Sequence, residues 1–131
     1  MTACVLDSDA LIAALDRADA HHPRASRAIR ALDGQELLLS LVNYAEVLVR
    51  PAEDEDTLRR ATNAISALGI KLVAPTATMA RQAAQHRRLN ISLADGFAMA
   101  TAQDADAALA TFDRRVRRAL PLVGLTAASG F

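Results

Sequence analysis

The chain has no tryptophan, one tyrosine, three phenylalanines and one cysteine in 131 residues. With aromatics at 3%, Leu, Val, Ile and Ala must fill any core, and a hydrophobic content of 52% is ample for that. A lone Cys4 excludes an internal disulfide and a thiolate zinc cluster. It lies in an apolar run, where a thiol behaves as a small buried hydrophobe. Formal net charge is zero, from 15 basic and 15 acidic residues, so no global field draws the chain to nucleic acid. No apolar run approaches the roughly 20 residues that span a bilayer. Asp7 and Asp9 interrupt the first apolar stretch, where a signal peptide needs its hydrophobic centre. A cytoplasmic protein with no membrane partner is expected. A Gly-rich phosphate loop is missing, which argues against nucleotide-triphosphate binding. Linkers, repeats and low-complexity tracts are missing too, and the length suits one domain.

What is present is an alternation of short apolar runs and helical periodicities. Residues 3–6 read as a buried strand that ends at Asp7, with a helix starting near Asp9. A second helix opens at His22-Pro23 and stops at Asp33-Gly34. Residues 37–39 form a second strand, and Ser40 caps a helix over residues 41–49 that ends before Pro51. The acidic run 53–56 opens another helix, where carboxylates complement the positive N-terminus. Residues 72–73 are a third strand. A helix starts at Thr76 or Thr78, another is capped by Ser92 and runs to about 103, and residues 107–110 are a strand. A short basic helix and a last strand at 122–123 follow, and residues 127–131 look loose. Strands alternating with helices imply a parallel sheet with helices on both faces. Sites in such folds form beyond the carboxyl ends of the strands.

Most acidic residues sit in polar loops or at helix ends, Asp19 among them. Five others interrupt apolar segments. Asp7 and Asp9 flank Ser8 after the first strand; in an extended link both would point the same way and could share one cation. Helix capping accounts for them equally well. Asn43, Glu46 and Arg50 form a polar stripe on an otherwise apolar helix, which also suits a solvated Glu46–Arg50 pair. Asp95 lies in Ser-Leu-Ala-Asp, close to a capping-box pattern. Asp113 could cap the basic helix. The conjunction says more than any member, because capping and solvation do not require acids at strand ends and helix starts throughout one domain. Crowded carboxylates repel unless cations neutralise them, and hard Mg²⁺ or Mn²⁺ matches oxygen ligands.

The segments Val-Leu-Asp-Ser-Asp-Ala-Leu (5–11), Ser-Leu-Val-Asn-Tyr-Ala-Glu-Val (40–47), Ser-Leu-Ala-Asp-Gly-Phe-Ala-Met-Ala-Thr-Ala (92–102) and Ala-Thr-Phe-Asp (110–113) resemble, in this order, the PIN-domain family, and more narrowly the VapC toxins of toxin–antitoxin pairs. The resemblance implies a PIN-like three-layer α/β fold, with a short parallel central sheet of about four or five strands flanked by helices. It places the domain at residues 1–126. It implies catalytic acids at Asp7, Glu46, Asp95 and Asp113, which would also be the metal ligands, joined by Asp9 as a candidate for water or a second ion. Ser8 and Thr111 would support the carboxylates by hydrogen bonds. Where relatives often carry an aromatic three residues after the last Asp, this chain has Val116. The implied activity is metal-assisted hydrolysis of RNA, tRNA or rRNA, with Mg²⁺ or Mn²⁺, leaving 5′-phosphate and 3′-hydroxyl ends. The implied partners are a cognate antitoxin and a second copy in a homodimer.

RNA contacts would come from arginine, which makes up 14 of the 15 basic residues. Arg114, Arg115, Arg117 and Arg118 lie beside Asp113, and Arg87 and Arg88 precede the Asp95 segment. Arg24, Arg27 and Arg30 recur on the second helix. A solvated helix face is the plainer account of each group. His21, His22 and His86 have no metal-binding spacing and suit surface or helix-end positions. Met79 and Met99 suit the core. Two rival readings remain. In a haloacid-dehalogenase-like phosphatase, Asp7 would be the nucleophile, Asp9 the acid, and Ser40 and Lys71 later motifs; Leu11 and the short chain fit it poorly, and Glu46 would have no role. A non-catalytic PIN scaffold would have no reason to keep the full acidic set.

Overall fold

In the computed structural model, which describes residues 2–131, strands β1 (Ala3–Leu6), β2 (Glu36–Ser40), β3 (Lys71–Val73) and β4 (Ala108–Ala110) form one parallel sheet in the order β3-β2-β1-β4. Among those residues seven α-helices surround it: α1 (Ser8–Leu15), α2 (His22–Ala31), α3 (Leu41–Leu48), α4 (Glu55–Ala67), α5 (Ala77–His86), α6 (Leu93–Ala105) and α7 (Arg114–Ala119). The strands are near-continuous apolar runs because both faces are covered, and alternate side chains divide between two cores. Cys4, Leu6, Leu37 and Leu39 face α1, α2 and α4 through Leu11, Ala28, Ile29 and Ile65. Val5, Leu38 and Leu109 face α6 and α7 through Ala98, Met99, Ala102 and Val116. The expected three-layer α/β architecture is present. Cys4 is buried, and burial pushes its thiol up to about 11.

Strand order is what builds the site. From β1 the chain steps outward through β2 to β3, then returns past β1 to place β4 on its other side. The order therefore reverses between β1 and β4, and the crevice beyond their carboxyl ends is where α/β sheets hold ligands. Asp7 follows β1 and its N–H donates to the Ala110 carbonyl at 3.1 Å, while Asp113 follows β4. Helix caps fix the remaining directions. Ser40 caps α3, Thr76 caps α5 and Ser92 caps α6, each accepting a backbone N–H with its hydroxyl.

Two expectations at the C-terminal end are corrected. Residues 122–123 are not a strand: Leu120–Val123 is a 3-10 helix, where Pro121 has no N–H to give a sheet ladder. Residues 127–131 are not loose. Ala127 bridges Leu109 in parallel, Ala128 donates to the Leu109 carbonyl at 2.9 Å, and Phe131 is 3% exposed. The Arg24 and Arg117 guanidiniums donate to the Phe131 backbone oxygen at 2.9 and 2.8 Å. A small-residue tail carries no periodicity of its own; one aromatic anchor and two distant arginines order it. Met79 and Met99 are core residues, as expected.

Helix α6 sits against α5 through Gly96, one residue beyond Asp95. A Cβ there would lie 2.9 Å from the Ala83 carbonyl oxygen and 3.1 Å from its Cα, both backbone atoms that cannot turn aside. Gly96→Ala is therefore expected to destabilise the protein by about 1–2 kcal/mol in urea unfolding, despite a gain of roughly 1 kcal/mol in helix propensity. A variant more stable than the wild type would show that α5 and α6 have room to separate.

Candidate active site

Asp7 is both cap and candidate ligand. Its side chain closes the N-terminus of α1, with Oδ1 accepting the Ala10 N–H at 2.8 Å. Asp7 is only 1% exposed, and Oδ2 is buried with no hydrogen-bond partner. Burial pushes its carboxyl up to about 7, against the pull of the Thr111 hydroxyl and the Ala10 N–H; the charges of Asp9 and Asp95 push in the same upward direction. Asp9 is not on an extended link with Asp7, contrary to the i, i+2 expectation. It lies in the first turn of α1, because Asp7 itself starts the helix one residue earlier than the apolar periodicity suggested. Its carboxyl is nevertheless raised, first by partial burial, then by Asp113, Glu46 and Asp19. Asp95, in the first turn of α6, is raised by burial and by Asp113, Asp9 and Glu46, against the Ser92 hydroxyl.

The five carboxylates singled out from sequence thus share one electrostatic neighbourhood, drawn from four separated stretches of chain. They do not converge into a closed cage: among the described residues, no three His, Cys, Asp or Glu side chains form a ready-made metal site. An open arrangement suits Mg²⁺, which keeps several waters and takes one or two carboxylates. The donor chemistry fits a hard divalent cation. A buried carboxylate oxygen without a hydrogen-bond partner, on a carboxyl that burial and like charges raise despite Thr111 and the Ala10 N–H, is one that a cation would stabilise.

Glu46 is held in place by residues whose roles the polar stripe did not reveal. Asn43 is fully buried, and its Nδ2 donates to Ser8 Oγ at 3.0 Å and to the Ala94 carbonyl at 3.2 Å. Ser8 Oγ in turn donates to Glu46 Oε1. One amide therefore ties the start of α1, the middle of α3 and the start of α6, with Ser8 between it and the Glu46 carboxylate. A buried Asn on an apolar helix was the available signal. Arg50 is exposed at the end of the stripe and forms no ion pair with Glu46 among the described residues. Thr111 is fully buried, accepts the Asp113 N–H through Oγ1 at 3.0 Å and lies beside Asp7. Asp113 caps α7, with Oδ1 accepting the Arg115 and Val116 N–H groups at 2.7 and 3.3 Å. Val116, in place of an aromatic, is simply core at 1% exposure.

The arginines divide. Arg117 donates to the Thr111 and Phe131 carbonyls, and Arg87 to the Ile91 carbonyl at 2.6 Å, so both brace loops around the site. Arg24 is likewise turned to the chain end. Arg88, Arg115 and Arg118 line one cleft of about 360 Å³, and Arg114 is exposed beside them in sequence. His21 and His22 stand at the start of α2, with His22 Nδ1 2.8 Å from the Ala13 carbonyl. His86 ends α5 but is buried, 3.0 Å from Gln103 Oε1. Lys71 starts β3 and pairs with Glu36 at 3.6 Å. β3 lies two strands from β1 and the Lys71 ammonium is engaged by Glu36 at the start of β2, away from Asp7, which does not favour the phosphatase reading.

The model of the PIN domain family matches residues 4–119. The chain belongs to the PIN domain family. That assignment covers the segments carrying Asp7, Glu46, Asp95 and Asp113. Comparison with curated proteins finds no match. Solved structures that share the PIN fold include Mycobacterium tuberculosis VapC20, a sarcin-ricin loop cleaving toxin, at TM-score 0.73 and 19% identity over 88% of this chain and 94% of that one. VapBC2 from Rickettsia felis, bound to a DNA fragment from its promoter, superposes at TM-score 0.76 and 13% identity over 96% and 97%. A toxin–antitoxin complex from Klebsiella pneumoniae superposes at 0.75 and 21% identity over 98% and 99%. At these identities the likeness establishes the fold. Among the described residues no helix is long and apolar enough to cross a membrane.

Proposed function

We propose that this PIN domain is a divalent-metal-dependent endoribonuclease, the toxin of a VapBC-type pair. The observation that carries the reading is the buried, unpartnered Oδ2 of Asp7 within a like-charged set at the β1–β4 switch point. Family membership and the toxin structures of the same fold support it. Asp7 and Asp95 are the principal residues to hold Mg²⁺ or Mn²⁺, with Glu46, Asp113 and Asp9 around them. A bound divalent ion supplies Lewis-acid neutralisation of the scissile phosphodiester. Glu46, tethered through Ser8 and Asn43, would accept a hydrogen bond from the attacking water and orient it. Thr111 braces the turn that carries Asp113 by accepting its N–H. Arg88, Arg115 and Arg118, whose cleft offers guanidinium forks, would hold phosphates of an RNA strand such as tRNA or rRNA. A cognate antitoxin, a homodimeric state and a cytoplasmic location complete the reading.

Because water rather than the ribose 2′-hydroxyl attacks, the products carry 5′-phosphate and 3′-hydroxyl ends. The test incubates the protein with tRNA and rRNA, with Mg²⁺ or Mn²⁺ and with chelator, and maps the product ends. Cuts that need metal and leave 5′-phosphates are expected. Ends bearing 2′,3′-cyclic phosphate, or cuts indifferent to chelator, would overturn the mechanism.

A further inference from the structure

Beside the acidic crevice lies a cleft of about 230 Å³ lined by Asp9, Ile12, Asp19, His21, Phe112 and Asp113. Its wall is an aromatic stack. The His21 and Phe112 rings lie 4.4 Å apart and only 11° from parallel. Phe112 is anchored from behind, with Phe131 at 5.6 Å and the Arg24 guanidinium 5.7 Å from its centroid. His21 is exposed, and both rings line the cleft. Asp19 holds His21 in place, its Oδ1 accepting the His21 backbone N–H at 2.8 Å. The structure thus spends a buried phenylalanine, an arginine and a carboxylate on fixing one exposed ring at the edge of the acidic set. Asp9 and Asp113 belong to both the cleft and that set, so whatever occupies the cleft is continuous with whatever occupies the candidate active site.

Resting on the nuclease reading above, we propose that the His21–Phe112 stack and Asp19 form a nucleobase subsite that selects guanine in the RNA strand flanking the cut. Unstacked RNA bases are bound by aromatic rings and read on their Watson–Crick edge. Besides the imidazole, the polar groups lining the cleft are carboxylates, which accept hydrogen bonds and cannot donate them when ionised. Guanine alone presents two adjacent donors, N1–H and N2–H, which one carboxylate can accept together. Adenine and cytosine pair a single amino donor with an acceptor. Uracil flanks its one donor with two carbonyls, which the carboxylates repel. Stacking supplies affinity for any base; the donor pattern supplies the choice.

The test uses a random-sequence single-stranded RNA pool in two arms. In the first, Asp7→Asn protein, which keeps the cleft, retains RNA on a filter with Mg²⁺ present, and the retained pool is sequenced. In the second, wild-type protein cuts the same pool and the cut sites are sequenced. Guanine enrichment at one position is expected in the first arm, with the same preference at a fixed offset from the cut in the second. His21→Ala should weaken retention about tenfold, the worth of one stacked base. Asp19→Asn should flatten the guanine preference while retaining RNA. His21 is exposed, and asparagine at 19 keeps the oxygen that accepts the His21 N–H, so neither substitution threatens the fold. A flat base profile in the first arm, or a guanine profile unchanged by both substitutions, overturns the subsite and leaves the stack to a peptide partner or to packing. Guanine-selective retention without cutting supports the subsite and counts against the nuclease reading alone.

Discussion

Asp7→Asn is expected to lower RNA cleavage by about three orders of magnitude, roughly 4 kcal/mol of transition-state stabilisation, while the protein stays folded. The asparagine oxygen can replace Oδ1 as acceptor for the Ala10 N–H, so the cap on α1 survives. What is lost is the negative charge at Oδ2, the Asp7 oxygen that has no hydrogen-bond partner. Rates on one RNA at saturating Mg²⁺, with unfolding curves for both proteins, separate loss of chemistry from loss of fold. Cleavage within tenfold of wild type would show that the active site lies elsewhere.

The same residue governs a second large effect. In the metal-free protein the Asp7 carboxyl is raised from its ordinary 3.8 to about 7. Between those values the native state holds a proton that the unfolded chain has released. Stability therefore falls as pH rises across that window, by about 1.4 kcal/mol per unit at most, and the loss is complete above pH 7. The full penalty is about 4 kcal/mol. The raised carboxyls of Asp9 and Asp95 add to it with the same sign. Urea unfolding without metal should show Asp7→Asn gaining little over wild type at pH 4 and most at pH 8. Mg²⁺ or Mn²⁺ should restore wild-type stability at pH 8 and do little at pH 4, since binding requires the deprotonated ligands. Equal metal effects at both pH values, or none at pH 8, would remove Asp7 from the cation site.

These expectations tie stability to function in one residue. A buried carboxylate with one oxygen left unpartnered is a cost that an apolar side chain would not incur. The protein bears it at the switch point of the sheet, surrounded by further acids, where a bound cation would offset it. Strain of this kind is spent where chemistry is done.

Much of this was legible along the chain. Residues 3–6 read as a buried strand because an apolar run broken by Asp can be little else, and Ser40, Thr76 and Ser92 announced their helices through hydroxyls that accept backbone N–H groups. Asp7, Glu46, Asp95 and Asp113 were visible as acids interrupting apolar segments, and it was their conjunction, since capping or solvation accounts for each one alone, that pointed to a site. Periodicity failed where order comes from distant contacts. Residues 122–123 look extended in isolation, yet Leu120–Val123 winds into a 3-10 turn. The tail is held by Phe131 and by arginines more than ten residues away. For the arginines, sequence shows only charge. Whether a guanidinium braces a carbonyl, as Arg87 and Arg117 do, or faces a cleft, as Arg88 does, depends on which loop the fold brings to it.

By itself, then, the sequence determined the alternation of strands and helices, the caps and the identity of the acids, because each is encoded within a few residues. The tertiary structure alone decided that β4 lies against β1, so that Thr111 meets Asp7 and Asp113 comes near Asp9 and Asp95. It also decided that Asn43 and Ser8 aim Glu46, and that His21 stacks on Phe112 at the edge of the crevice. The physical reason is common to all of these. Strand order and burial are set by long-range packing of two cores, and the same local patterns would serve any order of the four strands.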